Sequence, residues 1–407
     1  MSKLEELLKY VSEHNDFYKN RIKEYDITNP LDITQWPVLT RRELQENRYN
    51  MFSDGYKTKY FNQQLRRQSS SGSSGMPVNV YWDYKDWYAS NMSLWRRRWQ
   101  WYGIKPSDKY VMFTLNGFNI KADSETVYYI QEPINLLSVN VSLIQNDEQY
   151  RKLVDIINQF NPTWMYIQPF VLNKLIQTYK QYDLKKPSAL RYIESVGEIL
   201  TMDLRRRAIE FFEIPLANMY GSEEMNGIAY ENSDGDMSVL SDNVFVELMN
   251  NNKFVKYGSG ETIITNLNNI AMPLIRYNQG DVIDISNKND LSTIKIIKGR
   301  RADAIVLTNE EPVSEVLLFE IIAEANNVFN DIIKEYKYEF HSLNKKLICR
   351  INFGDANDRV EKWFFSVSHY IKELFILKGL SRCNIDIEYS HEMDFRNGKR
   401  TVIDILP

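Results

Sequence analysis

Apolar residues near the start of the chain fall at Leu4, Leu7, Leu8 and Val11, spacings that line one side of a helix and predict an amphipathic helix over 1–24. Pro30 and Pro37 interrupt that pattern and mark 30–40 as a connector, with Thr40 placed to N-cap a helix over 41–47. Residues 66–77, RRQSSSGSSGMP, have no apolar period and read as a loop; a strand over 78–82 and a Trp- and Arg-rich helix over 83–102 follow. Short apolar runs then alternate with helical periods. Strands are predicted over 110–115, 137–143, 164–167, 192–196 and 215–219, and helices over 148–159, 170–182 and 203–212. That alternation predicts βαβ units on a parallel or mixed sheet, an α/β fold. Between 239 and 297 the runs shorten and Asn/Gly turns separate them, which predicts a β-rich subdomain. Beyond Gly299 the character mixes again, with helices over 315–326 and 358–377 and a strand over 347–353. We therefore expect a large N-terminal unit over 1–300 and a small α+β C-terminal unit over 301–407, both of ordinary domain size.

Charge narrows the partners. Lys and Arg number 50 against 54 Asp and Glu, a near balance that offers no basic stripe for nucleic acid or an anionic membrane. The two cysteines, Cys349 and Cys383, and the four histidines form no Cys-x-x-Cys pair or cluster, so a Cys-rich zinc site is not expected. The opening MSKLEELLKY is charged where a secretory signal would be apolar, and no run approaches the roughly 18 apolar residues of a membrane span. The expectation is a soluble, cytoplasmic protein.

Several stretches carry chemistry. The run Ser69, Ser70, Ser71, Gly72, Ser73, Ser74, Gly75 offers small residues, free backbone N–H groups and hydroxyls, a composition suited to wrapping phosphate oxygens; it equally suits a flexible linker. It is not a Walker A loop, since no Gly-Lys-Ser/Thr follows Gly72 at the required spacing. Asn218-Met219-Tyr220-Gly221-Ser222-Glu223-Glu224 sets two carboxylates beside a Gly turn, either a hard-cation site or a solvated acidic turn. Arg276-Tyr277-Asn278-Gln279-Gly280-Asp281 ends on a carboxylate able to accept from two vicinal hydroxyls, or simply closes a hairpin. Gly299-Arg300-Arg301 and Asn397-Gly398-Lys399 are isolated basic features.

Taken in order, these stretches resemble the motifs of the adenylate-forming (ANL) ligase superfamily, within the branch that holds the phenylacetate–CoA ligases and CapK. The segments 14–18 and 36–44 are similar to that branch's opening, Gly197-Glu198 to its Gly-Glu, and 265–267 with 273–277 to its core strand pattern. The resemblance implies a mixed α/β adenylation domain with a mobile C-terminal lid. It implies that Ser70, Ser71, Gly72, Ser73, Ser74 and Gly75 close over the phosphates of ATP and that Gly197, Glu198, Tyr220, Gly221 and Ser222 border the nucleotide. Asp281 would hold the ribose, Glu224 a Mg2+ ion, Arg300 the hinge, and Lys399 would reach the carboxylate and α-phosphate. Asn116, Phe118, Lys121 and Asn218 are the expected acid-pocket residues. The implied activity is ATP-dependent formation of an acyl-AMP from an aromatic acid of the benzoate, phenylacetate or dihydroxybenzoate type. Transfer to coenzyme A or to the phosphopantetheine of an aryl carrier protein follows, as in petrobactin-type siderophore assembly. Alternatives are transfer to an amine or hydroxyl, and a non-catalytic nucleotide-binding descendant. The chain departs from the pattern at Met76, where a Lys is usual, at Glu223, where a Thr is usual, and at Ala302, where an acid is usual. It also lacks the downstream glycine around 309–312 that lines a pantetheine tunnel.

Overall fold

The computed structural model describes residues 1–69, 78–114, 127–144, 146–288, 291–300, 313, 315–330, 332–354, 357–378, 380, 384–391 and 403–406. Its frame is a sheet of 13 strands. Starting from the edge strand Tyr128–Gln131, it runs through Leu136–Asn140, Tyr110–Thr114, Trp164–Ile167, Tyr192–Val196 and Leu216–Ser222. From Leu136–Asn140 to Leu216–Ser222 every neighbour is parallel. The chain then reverses into Asn226–Glu231, and all further pairings are antiparallel, out to Val244–Asn250 and Lys253–Val255. The β-rich stretch expected beyond 239 is thus a continuation of the same sheet.

The parallel strands are short apolar runs because both faces are covered. Helices Asp147–Phe160, Pro169–Gln181 and Met202–Phe212 bury Leu153, Ile157, Leu172, Leu175 and Ala208 on one face, against Val111, Ile167 and Ile193. On the other, helix Tyr84–Tyr102 sets Trp95 and Tyr102 against Trp164, Tyr192 and Ala217. Inside this layer Arg98 donates two hydrogen bonds to Glu194, at 2.8 and 2.7 Å, and Tyr230 donates a third.

The N-terminal segment packs on the antiparallel half. Two helices, Lys3–His14 and Asp16–Glu24, replace the single one expected over 1–24. Asn15 divides them: its backbone is extended, its Oδ1 caps the second helix, and its Nδ2 is held by the Met51 carbonyl at 2.9 Å. Thr40 N-caps Arg41–Glu46 in a capping box with Glu43. The stretch read as a loop from 66 begins instead as strand Arg66–Ser69, paired antiparallel with Asn79–Trp82. Strand pairing supplied by a distant partner overrode a locally loop-like composition.

Residues from Val313 onward form a separate hydrophobic cluster around Leu318, Ile322, Tyr338, Leu347 and Ile371. Its sheet of four strands, Asn384–Tyr389, Lys346–Asn352, Glu335–His341 and Ile403–Leu406, is covered by helices Glu315–Val328 and Asn357–Leu377. Cys349 lies in this core, and burial pushes its thiol up to about 12. Among the described residues no helix is long and apolar enough to cross a membrane.

Candidate active site

Parallel strands present their carboxyl ends on one rim of a sheet, and ligands in open α/β folds bind where the connections there part company. In this chain that rim carries Gln168 after Trp164–Ile167, Gly197-Glu198 after Tyr192–Val196, and the turn at 221–224 after Leu216–Ser222. The sheet changes from parallel to antiparallel at the same place, as Gly221 pairs with Gly227. Only glycine fits at 221, where a Cβ would collide with the backbone of Asn226 and crowd Met219 Sδ at 3.1 Å. Gly197, at φ +78°, supplies the left-handed turn that takes the chain off its strand.

Four side chains from two strands meet beside this turn. The Tyr220 hydroxyl donates to Asp281 Oδ2 at 2.6 Å, Gln279 Nε2 donates to the same oxygen at 2.6 Å and to the Tyr220 hydroxyl at 3.0 Å, and Ser222 Oγ donates to Gln279 Oε1 at 3.1 Å. Tyr220 and Asp281 are 61 residues apart in sequence, and folding makes them one unit. The network fixes the Asp281 carboxylate and directs the Tyr220 ring. Directly across the antiparallel pair from Asp281 stands Arg300, at the end of Leu291–Arg300.

Glu224, on the same turn, is buried; Tyr277 donates to its Oε1 at 3.4 Å, and Asn266 Nδ2 donates to its backbone carbonyl at 3.1 Å. Glu223 points the other way and accepts from Gln68 Nε2 at 3.1 Å. Gln68 lies on Arg66–Ser69, the strand that leads into the Ser/Gly stretch, so the root of that stretch is tied to the turn at 221–224. Glu198 Oε2 accepts from the N–H of Phe170, anchoring the rim to the start of Pro169–Gln181 at 3.2 Å. The Asn218 backbone N–H donates to Glu231 Oε2 at 2.7 Å, which Arg205 Nη2 also holds at 2.7 Å.

The structure thus brings together Tyr220, Ser222 and Asp281, with Gly221 and Glu224 on the adjoining turn and Gly197, Glu198 and Asn218 on the neighbouring strand ends. Ser70, Ser71, Gly72, Ser73, Ser74 and Gly75, the acid-pocket residues Asn116, Phe118 and Lys121, and Lys399 lie outside the described residues, as does the side chain of Arg300. Gln279 and Gln68 were not singled out in the sequence. Gln279 was visible as one of the unspecified positions between Arg276-Tyr277 and Gly280-Asp281, whereas nothing around Gln68 marked it. Arg276, from that same motif, has a different task. It is buried, donates to Glu247 at 2.9 and 3.0 Å and to the Trp36 carbonyl at 2.6 Å, and so staples the N-terminal segment to the sheet.

Chemically, the rim is rich in oxygen ligands and unfinished hydrogen bonds. Gln68 Oε1, Gln168 Oε1 and Ser195 Oγ are buried without a hydrogen-bond partner among the described residues. Native proteins leave few such atoms, so Gln168 and Ser195 on neighbouring strands, with Gln68 on the hairpin tied to Glu223, suit a polar ligand. Among the described residues no group of three or more His, Cys, Asp and Glu side chains could hold a metal by itself. A cation at Glu224 would therefore draw most of its ligands from phosphate oxygens and water, which is how Mg2+ is commonly held.

Residues 68–245 match the family model described as AMP-binding enzyme, a span that starts at Gln68 and includes the turn at 221–224. The chain is 23% identical over 377 residues to protein CapK of Staphylococcus aureus, covering 88% of this chain and 80% of the relative. It is 23% identical over 325 residues to phenylacetate-coenzyme A ligase of Pseudomonas putida, covering 74% and 69%. In architecture it resembles 2-hydroxyisobutyryl-CoA ligase solved in the postadenylation state with 2-HIB-AMP, at a TM-score of 0.75 and 17% identity, covering 99% of this chain and 88% of that one.

Proposed function

We propose that this chain, whose residues 68–245 match the AMP-binding enzyme family model, activates a small carboxylic acid with ATP and passes the acyl group to the thiol of coenzyme A. The observation that carries the reading is the meeting at one rim of Tyr220–Asp281, Glu224 and the Gln68 root of the Ser/Gly stretch. A nucleotide laid across that rim has a carboxylate for its ribose, an aromatic face for its base, and an anion-wrapping stretch for its phosphates.

In the first step an oxygen of the acid's carboxylate attacks the α-phosphorus, the bond to the β-phosphate oxygen breaks, and pyrophosphate leaves with that electron pair. Both reactants are anions and the rim itself bears Glu198, Glu223, Glu224 and Asp281, so the step needs cations placed where charge builds up. Glu224 would hold Mg2+, which supplies charge neutralisation at the phosphates. Lys399 would bring the second cation from the C-terminal unit, and Arg300, opposite Asp281, would lie at the junction between units 1–300 and 301–407. In the second step a thiolate attacks the carbonyl carbon of the acyl-AMP and AMP leaves, giving the thioester. Asn116, Phe118, Lys121 and Asn218 remain our assignment for the acid pocket, and aromatic acids are the first class to test. A requirement for ATP suits a cytoplasmic address.

Acid-dependent exchange of labelled pyrophosphate into ATP, screened over aromatic, aliphatic and hydroxy acids, tests the reading. Exchange with at least one acid is expected; ATP binding with no exchange for any acid would overturn it.

A further inference from the structure

The hairpin that carries the Ser/Gly stretch has two faces with different surroundings. Arg66, paired with Trp82, and Gln68, paired with Val80, face inward: Arg66 stacks on Trp87 at 4.0 Å and Gln68 reaches Glu223. Arg67, paired with Tyr81, faces the other way, into an open cleft of about 770 Å³. Its remaining walls include Tyr49, Tyr60 and Phe61. Tyr60 packs edge-on against Tyr49, Phe61 and Tyr81, with centroids 5.6, 5.4 and 4.9 Å away. Such edge-to-face packing leaves the outer rings open to a further stacking partner. Phe61 is 74% exposed and Tyr49 50%, so both rings present apolar surface to solvent at this cleft.

The charge of the cleft is one-sided. The chain as a whole is acidic, at −4, yet among the described residues no acidic side chain lines this cleft. Arg67 donates to the neutral amide of Asn79 at 2.8 Å; next to the wall residue Tyr49, Arg48 lies over its ring at 4.6 Å and donates to its hydroxyl at 2.8 Å. Among the described residues neither guanidinium has a carboxylate partner. Aromatic walls with two uncompensated guanidiniums call for a flat ring bearing phosphate, since arginine takes phosphate oxygens two at a time and the ring stacks.

We propose that this cleft is a second ligand site, distinct from the rim at 221–224, and that it binds a purine nucleotide with the base on Tyr49 and Phe61 and phosphate on Arg67 and Arg48. The ligand has two sources, a free adenine nucleotide or the nucleotide end of coenzyme A. Because Arg67 and Gln68 are adjacent on one strand with opposite faces, occupancy of the cleft braces the hairpin that is tied to Glu223.

Calorimetric titration of the full chain with AMP, with adenosine 3′,5′-bisphosphate and with inorganic phosphate tests this in an Asp281→Ala background, where the rim site is weakened. Nucleotide binding should persist there, and Arg67→Glu and Phe61→Ser should each reduce it by about tenfold or more. The exposure of Phe61 makes the second variant safe for folding. AMP bound more tightly than the bisphosphate assigns the free nucleotide; the reverse assigns coenzyme A. Loss of all binding on Asp281→Ala alone, isotherms unaltered by both cleft substitutions, or equal binding of inorganic phosphate would overturn the proposal. Failure here leaves pyrophosphate exchange untouched, so the two proposals fall separately.

Discussion

The two halves of the sheet each bury an arginine–glutamate pair, and they use it differently. In the parallel half, Arg98 and Glu194 lie between helix Tyr84–Tyr102 and strand Tyr192–Val196, with Tyr230 adding a third donor. Every partner belongs to that helix or to the sheet itself, Tyr230 reaching in from the first antiparallel strand, Asn226–Glu231. In the antiparallel half, Arg276 spends two bonds on Glu247 and turns its remaining donors to the carbonyls of Trp36 and Thr34, at 2.6 and 3.3 Å. The first pair locks a helix to its own sheet; the second reaches outside the sheet and fastens a segment that precedes it by more than two hundred residues. The parallel half is therefore secured by its βαβ connections, while the antiparallel half depends on a cross-chain staple.

Removing one partner of a buried pair is the direct way to break that contrast. Arg98→Met should have the largest effect, about 4 kcal/mol of stability, because Glu194 has no exposure and would be left charged in an apolar layer. Urea unfolding should show it as a lower midpoint of the whole transition. Arg276→Met should cost about 3 kcal/mol, with a local signature. Amide exchange should quicken across 3–46 well before the strands at 192–196 respond; uniform acceleration would erase the distinction drawn here.

The smallest effect sharpens the picture at the staple's outer end. Burial alone would raise the Glu43 carboxyl, but hydrogen bonds from Thr40 and the Arg21 guanidinium, 2.6 Å away, outweigh it and hold the group below its usual range. A depressed carboxylate stabilises above its unfolded pKa of about 4.3, and that contribution fades as pH falls through the lower folded value. Thr40→Ala should cost about 1 kcal/mol through the lost cap. It should also flatten the acid-side loss of stability, and an unchanged acid limb would refute the assigned role of Thr40.

Much of this organisation could be read from residue order, wherever the cause is local. Thr40 with Glu43 three positions on is a capping box in sequence and in space. The strand at 192–196 was visible from Tyr192, Ile193 and Val196, an apolar signal that survives the two buried polar residues between them, Glu194 and Ser195. What was lost involved partners far along the chain. Nothing near Arg66 announces that Trp82 will pair with it, and nothing near Asn15 announces that the Met51 carbonyl will hold its amide and end a helix. At the site, Tyr220, Ser222, Glu224 and Asp281 were legible as motif positions. Their shared hydrogen bonds through Gln279 were not, since a glutamine within a strand carries no periodic signal. Arg276 shows the same limit from the other side: it sits in a motif pointing to ligand chemistry, and its contacts are architectural.

Gly221 has a consequence for how this protein tolerates change. The residue that lets the sheet reverse direction is also in the turn that sets Ser222 and Glu224. Architecture and chemistry share a single point of failure, so a saturation library at 221 has no room for folded but inactive members. Diversification toward other ligands has to proceed around that position, through the strand ends at 168 and 218, which lie outside the reversal itself.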